Sequence, residues 1–286
     1  MQVAALQFDI KRAASDASAI QVNLISARDC VWAAAKGGAK LVVLPEVWAT
    51  SFPAADASGD QRLVDAAAEA IASVAAWSVE FGIVIAGSYL APAPDLGKLG
   101  VGRFFNRLLV HDGADGGEVV LSYDKVHLFS PTAEHEVFAA GDLPPAIVDC
   151  SAGRLSGAIC YDLRFPELFV PMRRADVDVI VVPAQWAARR AAHWRALVLG
   201  RAVEAQATVI AANRTGEEPL GQRGHTAVFP GNSLIASAGG EAIGEGAGEV
   251  GPVFGLASPE LSRKQRVRVP VGKDRRESLY QSWAQE

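Results

Sequence analysis

Short apolar runs alternate with longer stretches of helical spacing along the first half of the chain. The runs are rich in Val, Ile and Leu, as is typical of strands buried within a sheet. The predicted strands cover 2–8, 40–44, 83–89, 104–111, 118–123, 154–160, 178–182, 207–212, 226–229, 233–237 and 251–256. Strands alternate with helices early and then follow one another in pairs. This mixture predicts an α/β sandwich rather than a regular doubly wound sheet.

Several stretches carry apolar residues at the spacing of a helix that buries one face. The predicted helices cover 16–36, 61–81 and 187–206, with a further short helix starting near Pro166. For the first we expect Ser15 or Asp16 as the N-cap and Gly37-Gly38 as the end, and for the second an end at Gly82. Proline suits the first turn of the short helix.

Composition excludes several classes of protein. Half of the residues are hydrophobic and 21% are charged, which is ordinary for a soluble enzyme with a sizeable core. The net charge of −5 and the lack of long Lys/Arg blocks argue against nucleic-acid binding. No linker, low-complexity tract or repeat divides the chain, so we expect one domain over residues 1–286.

Cysteine usage and the apolar runs favour the cytoplasm. The three cysteines have no CxxC spacing, which argues against a disulfide framework and against a cysteine zinc site. The N-terminal stretch does not resemble a signal peptide, and no run approaches the roughly 18 apolar residues of a membrane span. We therefore expect a cytoplasmic protein without a membrane partner.

Reactive polar residues follow three of the predicted strands. Glu46 follows an apolar run and Pro45, where loss of solvation would strengthen it as a base; the alternative is a glutamate that points to solvent. Lys125 lies between apolar runs and is an electrostatic anchor or a surface lysine. Cys160 ends a strand just before the helix predicted at Pro166, where a corner can expose a nucleophile; the alternative is a buried core thiol.

Competing sites have little support. The five histidines (111, 127, 135, 193 and 225) show no spacing of metal ligands, although His127 or His193 could pair with Cys160. Residues 246–251 match GxGxxG but lie in a glycine-rich turn region with no helix after it, so they do not predict a dinucleotide site. We expect no metal and no cofactor.

Taken together, the sequence motifs around these residues resemble those of the nitrilase superfamily of carbon–nitrogen hydrolases. The matching motifs are LPEVW, YDKVHLF and GAICYDLRFPEL, in the family's order and at its typical separations. EHEVFAAGD (134–142) resembles the segment that carries the family's second active-site glutamate, here Glu134. VVPAQW, HWRALVLGRAVEAQ, AANRTG and PVGKDRRESLY resemble later blocks, so the resemblance covers essentially the whole chain.

The resemblance implies a four-layer α-β-β-α sandwich, usually paired with a second subunit as a homodimer, and a cofactor-free Glu-Lys-Cys catalytic set. Cys160 would attack a carbonyl while Glu46 takes its proton as general base and later acts as general acid. Lys125 and the backbone N–H of Tyr161 would hold the oxyanion, and Glu134 would orient Lys125 or the substrate. We also expect the Lys125 ammonium beside the sulfur to lower the pKa of the Cys160 thiol.

The residues after the cysteine indicate the branch. CYDLRFPE resembles the omega-amidases and the related deaminated-glutathione amidases, which implies hydrolysis of a small omega-monoamide of a dicarboxylic acid with release of ammonia. The alternative is hydrolysis of an N-carbamoyl or other linear amide. A catalytically silent scaffold is disfavoured because Glu46, Lys125, Glu134 and Cys160 are all present.

The substrate-binding residues are the least constrained prediction. Only SPTA separates His127-Leu-Phe from Glu134, where many omega-amidase-like sequences carry a longer loop beside the pocket. Arg164 is the candidate for binding a substrate carboxylate, and the alternative is an ion pair with Asp162, Glu167 or another acid. With Arg164, we expect Gln185 and Trp186 to bind substrate.

Overall fold

The fold was analysed in a computed structural model that describes residues 1–13, 18–53, 60–93, 104–220 and 225–283. The strands are β1 (Gln2–Gln7), β2 (Leu41–Val43), β3 (Val84–Pro92), β4 (Phe104–Asp112), β5 (Glu118–Asp124), β6 (Val148–Cys150), β7 (Gly153–Gly157), β8 (Val179–Ala184), β9 (Thr208–Asn213), β10 (Thr215–Leu220), β11 (His225–Pro230), β12 (Leu234–Ala236), β13 (Ala242–Glu245) and β14 (Gly251–Leu256). The α-helices are α1 (Ala19–Lys36), α2 (Gln61–Phe81), α3 (Val170–Arg174), α4 (Ala191–Ala205), α5 (Pro259–Arg268), α6 (Val271–Asp274) and α7 (Glu277–Trp283). Short 3-10 turns include Cys160–Arg164, Pro166–Phe169 and Ala188–Arg190.

The strands form two six-stranded sheets and a separate hairpin. The first sheet has the order β14-β1-β2-β3-β4-β5, and the second has the order β13-β12-β9-β8-β7-β6. Each sheet has three parallel strands at its centre, β1-β2-β3 in the first and β7-β8-β9 in the second, flanked by antiparallel strands. The hairpin pairs β10 with β11. The carboxyl ends of the parallel strands therefore provide one edge in each sheet for functional groups.

Alternation along the strands builds the layers. In β1, Val3 and Ala5 pack into the core between the two sheets, whereas Ala4 and Leu6 face helices α1 and α2. The second sheet packs its inner face on the first and its outer face on α3 and α4. The result is an α-β-β-α sandwich, which confirms the predicted fold class.

Several described helix ends carry the capping residues that such ends favour. Helix α2 begins after Asp60, whose side chain accepts the N–H of Arg62 at 3.0 Å, and ends at Gly82 in the left-handed conformation (φ +61°). Gly37 and Gly38 follow α1, as predicted. The proposed N-cap residues Ser15 and Asp16 lie outside the described residues.

The chain forms more elements than the pattern predicts. Strands β6, β10 and β13 are short, partly exposed or rich in polar residues, so no apolar alternation marks them. Helices α5 to α7 carry no continuous apolar stripe either, and the sequence pattern did not indicate them. Within the described residues, no helix is both long and apolar enough to cross a membrane.

Candidate active site

The predicted site residues lie at the carboxyl ends of strands from both sheets. Glu46 follows β2 and Lys125 follows β5 in the first sheet, while Cys160 and Gln185 follow β7 and β8 in the second. The predicted strand 154–160 ends earlier, at Gly157, because the chain turns into the 3-10 segment that begins at Cys160. The site is thus assembled across the interface between the two sheets.

Glu46 is fully buried, and its carboxylate accepts three hydrogen bonds. Oε1 accepts from Asn106 Nδ2 and from Lys125 Nζ, both at 2.8 Å. Oε2 accepts the backbone N–H of Gln185 at 2.9 Å. A buried carboxylate needs such donors to offset its lost hydration, so these contacts fix its position and keep it inside the protein. The alternative of a solvent-facing glutamate is wrong.

Lys125 joins two carboxylates. Its side chain is fully buried, and Nζ lies 2.8 Å from Glu46 Oε1 and 2.9 Å from Glu134 Oε2. Glu134 also accepts the backbone N–H of Phe129 at 2.9 Å. The Lys125 backbone N–H donates to the carbonyl of Asn106 at 2.9 Å, which holds the end of β5 against β4. The alternative of a surface lysine is therefore wrong.

Burial and charge act against each other in this cluster. Burial opposes the charged form of Lys125, but the carboxylates of Glu134 and Glu46 outweigh it and raise the pKa of the ammonium well above its usual value. Burial raises the pKa of Glu134; Lys125 opposes that rise, and the negative charge of Glu46 adds to it. The net effect of its surroundings therefore favours the charged ammonium of Lys125.

Cys160 occupies a sharp corner. It is the first residue of a 3-10 turn and has φ of +45°, in the left-handed region that non-glycine residues rarely adopt. Its Sγ lies 4.0 Å from the carbonyl oxygen of Gln185 and the residue is 7% exposed. Such a corner is held only when its surroundings over-determine it, and it is often found at functional sites.

Asp162 supplies that support. Its fully buried carboxylate accepts the Ile159 N–H at 3.0 Å and the Tyr123 hydroxyl at 2.9 Å. It also accepts the backbone N–H of His127 at 3.1 Å and lies 2.8 Å from His127 Nδ1. One side chain therefore joins the Cys160 turn to the segment after β5 that carries Lys125.

The surroundings of Cys160 favour the protonated thiol. Burial raises its pKa well above the usual value, the charge of Glu46 adds to the effect, and Lys125 acts in the opposite direction. Lys125 lowers the pKa of the thiol as expected, but burial and the charge of Glu46 outweigh it. Desolvation dominates because the sulfur lies in the interior beside a carboxylate.

Gln185 is bonded to protein at both ends of its side chain. Its side-chain Nε2 donates to the Glu46 carbonyl at 2.7 Å, and its Oε1 accepts from Arg214 Nη1 at 3.0 Å. The side chain therefore connects Glu46 with Arg214, a fully buried guanidinium that also bonds to Glu218. Its predicted contact with substrate stays a prediction, since the amide keeps a second N–H and a second lone pair.

Arg164 and Trp186 lie beside the corner. The Arg164 guanidinium stands 5.1 Å from the Trp186 ring and 5.8 Å from the Tyr161 ring, and Nη2 lies 3.1 Å from His193 Nδ1. Within the described residues Arg164 forms no ion pair, so the alternative of a pairing with Asp162 or Glu167 is wrong. Trp186 is mostly buried, and its Nε1 donates to the carbonyl of Arg190 at 2.8 Å.

The histidines do not serve the cysteine. His127 pairs with Asp162 and stacks on Phe165 with ring centroids 3.6 Å apart, and His193 contacts Arg164. Among the described residues, no group of three or more His, Cys, Asp or Glu is placed to hold a metal ion. Residues 246–251 lead into strand β14 and not into a helix, as their interpretation as a turn region predicted.

The supporting roles of three residues were not predicted from the sequence. Asn106 lies within strand β4, and Asp162 lies in the 3-10 turn that begins at Cys160. Arg214 directly follows β9, which ends in Ala-Ala-Asn. A polar residue inside an apolar strand was the available signal for Asn106, since buried polar groups need a partner. Asp162 and Arg214 lie in the quoted segments CYDLRFPE and AANRTG, but nothing in the sequence showed what they contact.

Comparison with known proteins identifies the family. The carbon–nitrogen hydrolase family matches residues 2–251. The chain belongs to the carbon–nitrogen hydrolase family. It falls in the omega-amidase-like branch of the nitrilase superfamily, as the motif CYDLRFPE predicted.

Three relatives and one solved structure illustrate the place of the chain in the family. It is 30% identical to 2-oxoglutaramate amidase of Bacillus subtilis over 85% of this chain and 87% of that protein. It is 33% identical to omega-amidase YafV of Yersinia enterocolitica over 82% of this chain and 83% of that protein. It is 31% identical to deaminated glutathione amidase of Synechocystis sp. over 80% of this chain and 86% of that protein. The crystal structure of an amidase from Nesterenkonia sp., 24% identical, shares the fold with a TM-score of 0.79 over 99% of this chain and 96% of that chain.

Proposed function

We propose that this chain hydrolyses a small linear amide whose acyl part ends in a carboxylate, through a thioester on Cys160, with release of ammonia. The observation that carries the proposal is the fully buried Lys125 ammonium, bonded to both Glu46 and Glu134 and close enough to Cys160 for their charges to interact. Relatives named 2-oxoglutaramate amidase and omega-amidase support the substrate class.

The first step forms the thioester. Cys160 Sγ attacks the amide carbonyl while its proton passes to Glu46, which is close enough to the thiol for their charges to interact. This transfer has to accompany attack because the resting thiol holds its proton. Glu46 then gives the proton to the leaving nitrogen as the C–N bond breaks, and ammonia departs.

The oxyanion of the tetrahedral intermediate is held by two donors. The Lys125 Nζ lies within hydrogen-bond distance of Glu46 Oε1 and of both Glu134 oxygens, at 3.2 and 2.9 Å. One of its three N–H groups serves Glu46 and one is shared by the two Glu134 oxygens, which leaves the third for the substrate oxygen. The backbone N–H of Tyr161, directly after the nucleophile, is the second donor. Each such contact is worth about 2.7–4 kcal/mol of transition-state stabilisation.

The second step returns the enzyme to its starting state. A water molecule gives a proton to Glu46 and attacks the thioester carbonyl, and the C–S bond breaks. Cys160 recovers its proton and the carboxylic acid product leaves. Glu134 contributes by holding Lys125 in place from the side opposite Glu46. No cofactor or metal takes part in this cycle.

Arg164 binds the carboxylate of the acyl part. Arg164 is half-buried, lies on the Trp186 and Tyr161 rings and has no acidic partner among the described residues. A guanidinium in this state is suited to bind a carboxylate bidentately. Trp186 forms the apolar wall behind it. Deaminated glutathione amidase activity is the second candidate, favoured by the Synechocystis relative, and other linear or N-carbamoyl amides form the remaining alternative.

The decisive experiment replaces the nucleophile. We expect Cys160→Ala to lower ammonia release from glutaramate by at least about 10³-fold, because the covalent route is lost. Cys150→Ala is the matched control, since Cys150 is a half-buried thiol bonded to the Gly153 carbonyl. Intact-mass analysis of the wild type should show one acyl group on Cys160. Equal loss in both variants, or activity retained in Cys160→Ala, would refute the mechanism.

We further propose that the protein acts as a homodimer in the cytoplasm. Large apolar side chains are exposed on the C-terminal helices, with Leu261 at 62%, Val267 at 83% and Trp283 at 59%. Exposed apolar side chains of this size support the presence of an interface. The three described cysteines are free, which supports a reducing compartment. Light scattering on the purified protein tests the dimer, and fractionation of the source cells tests the location.

A further inference from the structure

Three arginines gather beside the proposed site without counter-charges. Arg164 lies in the 3-10 turn that begins at Cys160, and Arg189 and Arg190 lie in the 3-10 turn Ala188–Arg190 that leads into α4. Within the described part of the chain, none of the three forms an ion pair with a carboxylate. Elsewhere in the same part, arginines such as Arg107, Arg195 and Arg266 are paired with acids.

Arg190 is held toward the site by aromatic contacts. Its guanidinium stands 5.1 Å from the Phe129 ring, and Phe129 packs edge-on against Tyr161 with ring centroids 4.9 Å apart. The carbonyl of Arg190 accepts the Trp186 Nε1–H at 2.8 Å. Arg190 and Arg164 therefore stand on neighbouring members of one aromatic group, made of Phe129, Tyr161 and Trp186, which adjoins Cys160.

The environment of Arg190 is unfavourable for an unpaired cation. It is half-buried, and its guanidinium has no hydrogen-bond acceptor among the described residues. Burial lowers the pKa of Arg190, and the positive charges of Arg189 and Arg164 add to this effect. An anion bound at Arg190 would relieve this repulsion and gain charge-assisted hydrogen bonds from its guanidinium.

We propose that Arg190 is a second anion-binding residue of the site, so that the preferred amide carries two carboxylates, one bound by Arg164 and one by Arg190. The inference rests on the proposed function and extends it from monoanionic to dianionic amides. A single carboxylate leaves one of these two guanidiniums without an anion. The second carboxylate lies either on the acyl side of the scissile bond or on the amine side.

Binding is measured in the Cys160→Ala background, so that the result does not depend on turnover. Calorimetry gives the Kd of glutaramate and of the glutaramate that bears a third-carbon carboxylate (a tricarballylate monoamide), which tests the acyl side. N-methylglutaramate and N-glutarylglycine form the corresponding pair for the amine side. Butyramide serves as the neutral reference. We expect one dianionic ligand to bind at least about tenfold more tightly than its monoanionic partner.

Arg190→Gln should abolish that tenfold difference and leave the Kd of the monoanionic ligand within about twofold. Arg190→Lys should retain part of the difference, because it keeps the charge but loses the fork of donors. Arg195→Gln is the matched control: it removes one positive charge from the exposed side of α4, where Arg195 pairs with Glu245. It should leave all Kd values unchanged.

The outcomes separate the two proposals. Equal affinity for mono- and dianionic ligands, or an equal effect of Arg190→Gln on both, overturns the role of Arg190 and leaves the amidase proposal standing. A wild type that releases neither ammonia nor amine from any of these amides overturns the proposed function, while the calorimetric comparison still decides the anion site.

Discussion

Two clusters of opposite charges differ chiefly in their exposure. Glu46, Lys125 and Glu134 form a cluster in the interior whose side chains are 0%, 0% and 6% exposed. Arg174, Arg275 and Glu277 form a cluster near the C-terminus whose side chains are 53%, 23% and 36% exposed. Both contain good ion-pair contacts, but water and salt screen only the second.

The difference decides what each cluster can do. In the interior every charge depends on its partners, because the low dielectric strengthens both attraction and the penalty for an unpaired ion. The interior cluster is therefore suited to hold a proton acceptor and an ammonium at fixed positions. In the exposed cluster, water can take the place of one charged side chain. Its ion pairs can therefore attach the last helix to the surface without a precise arrangement.

Lys125→Met should break the interior cluster and have the largest effect on stability. It leaves two buried carboxylates facing each other, and we expect the free energy of unfolding to fall by about 3–5 kcal/mol, with loss of activity. Urea denaturation measures this. The loss should be smaller at pH 5 than at pH 8, because protonation of Glu134, whose pKa burial already raises, removes one of the two charges.

Lys264→Met is the control for that experiment. Lys264 forms an exposed pair with Glu260 four residues away on α5, and the substitution should leave the urea midpoint unchanged. Equal midpoints for Lys125→Met and the wild type would show that the interior charges are not coupled.

Asn106→Ala should have an intermediate effect, on both stability and catalysis. It removes the hydrogen bond from Nδ2 to Glu46 Oε1, and hydrogen bonds to charged groups contribute about 1.5–3 kcal/mol. We expect kcat to fall by about 10- to 100-fold with KM within about twofold, since Asn106 positions the base. A steady-state assay that shows a rise in KM at constant kcat would assign Asn106 to substrate binding instead.

Glu277→Gln should have the smallest effect. Hydrogen bonds from Arg275 and Arg174 lower the pKa of Glu277 to about 2, so the cluster stabilises the fold above the carboxyl's ordinary pKa of about 4.5 and loses that contribution as pH falls toward about 2. Because the cluster is exposed, we expect a change in Tm of no more than about 1 °C at pH 7 and physiological salt. A decrease of several degrees that persists in high salt would contradict the contrast with the interior cluster.

Much of the site could be predicted from the sequence because its members end buried strands. Glu46, Lys125 and Cys160 each follow an apolar run, and parallel strands bring such ends to one edge. The resemblance of EHEVFAAGD (134–142) to a family motif then identified Glu134 as a fourth candidate. The four-layer fold also followed from the resemblance, and the strand and helix pattern alone reached the α/β sandwich.

The remaining parts depend on contacts between distant segments. Gln185 contacts Glu46 across 139 residues of sequence, and Asn106 does so across 60. No local pattern shows that the Gln185 amide joins Glu46 to Arg214, so this connecting role was not predicted. The direction of the Cys160 pKa likewise depends on burial in the folded interior, which outweighs the nearby lysine.

The division of the site between two sheets makes catalysis a reporter of assembly. Glu46 and Lys125 belong to one sheet, and Cys160 with the Gln185 backbone N–H belongs to the other, so neither sheet alone holds a working centre. During refolding from urea, the circular dichroism of helices and strands reports secondary structure within each sheet and its helices, whether or not the two sheets have docked. We expect amidase activity to return only with docking, so its time course would measure the formation of the interface between the sheets.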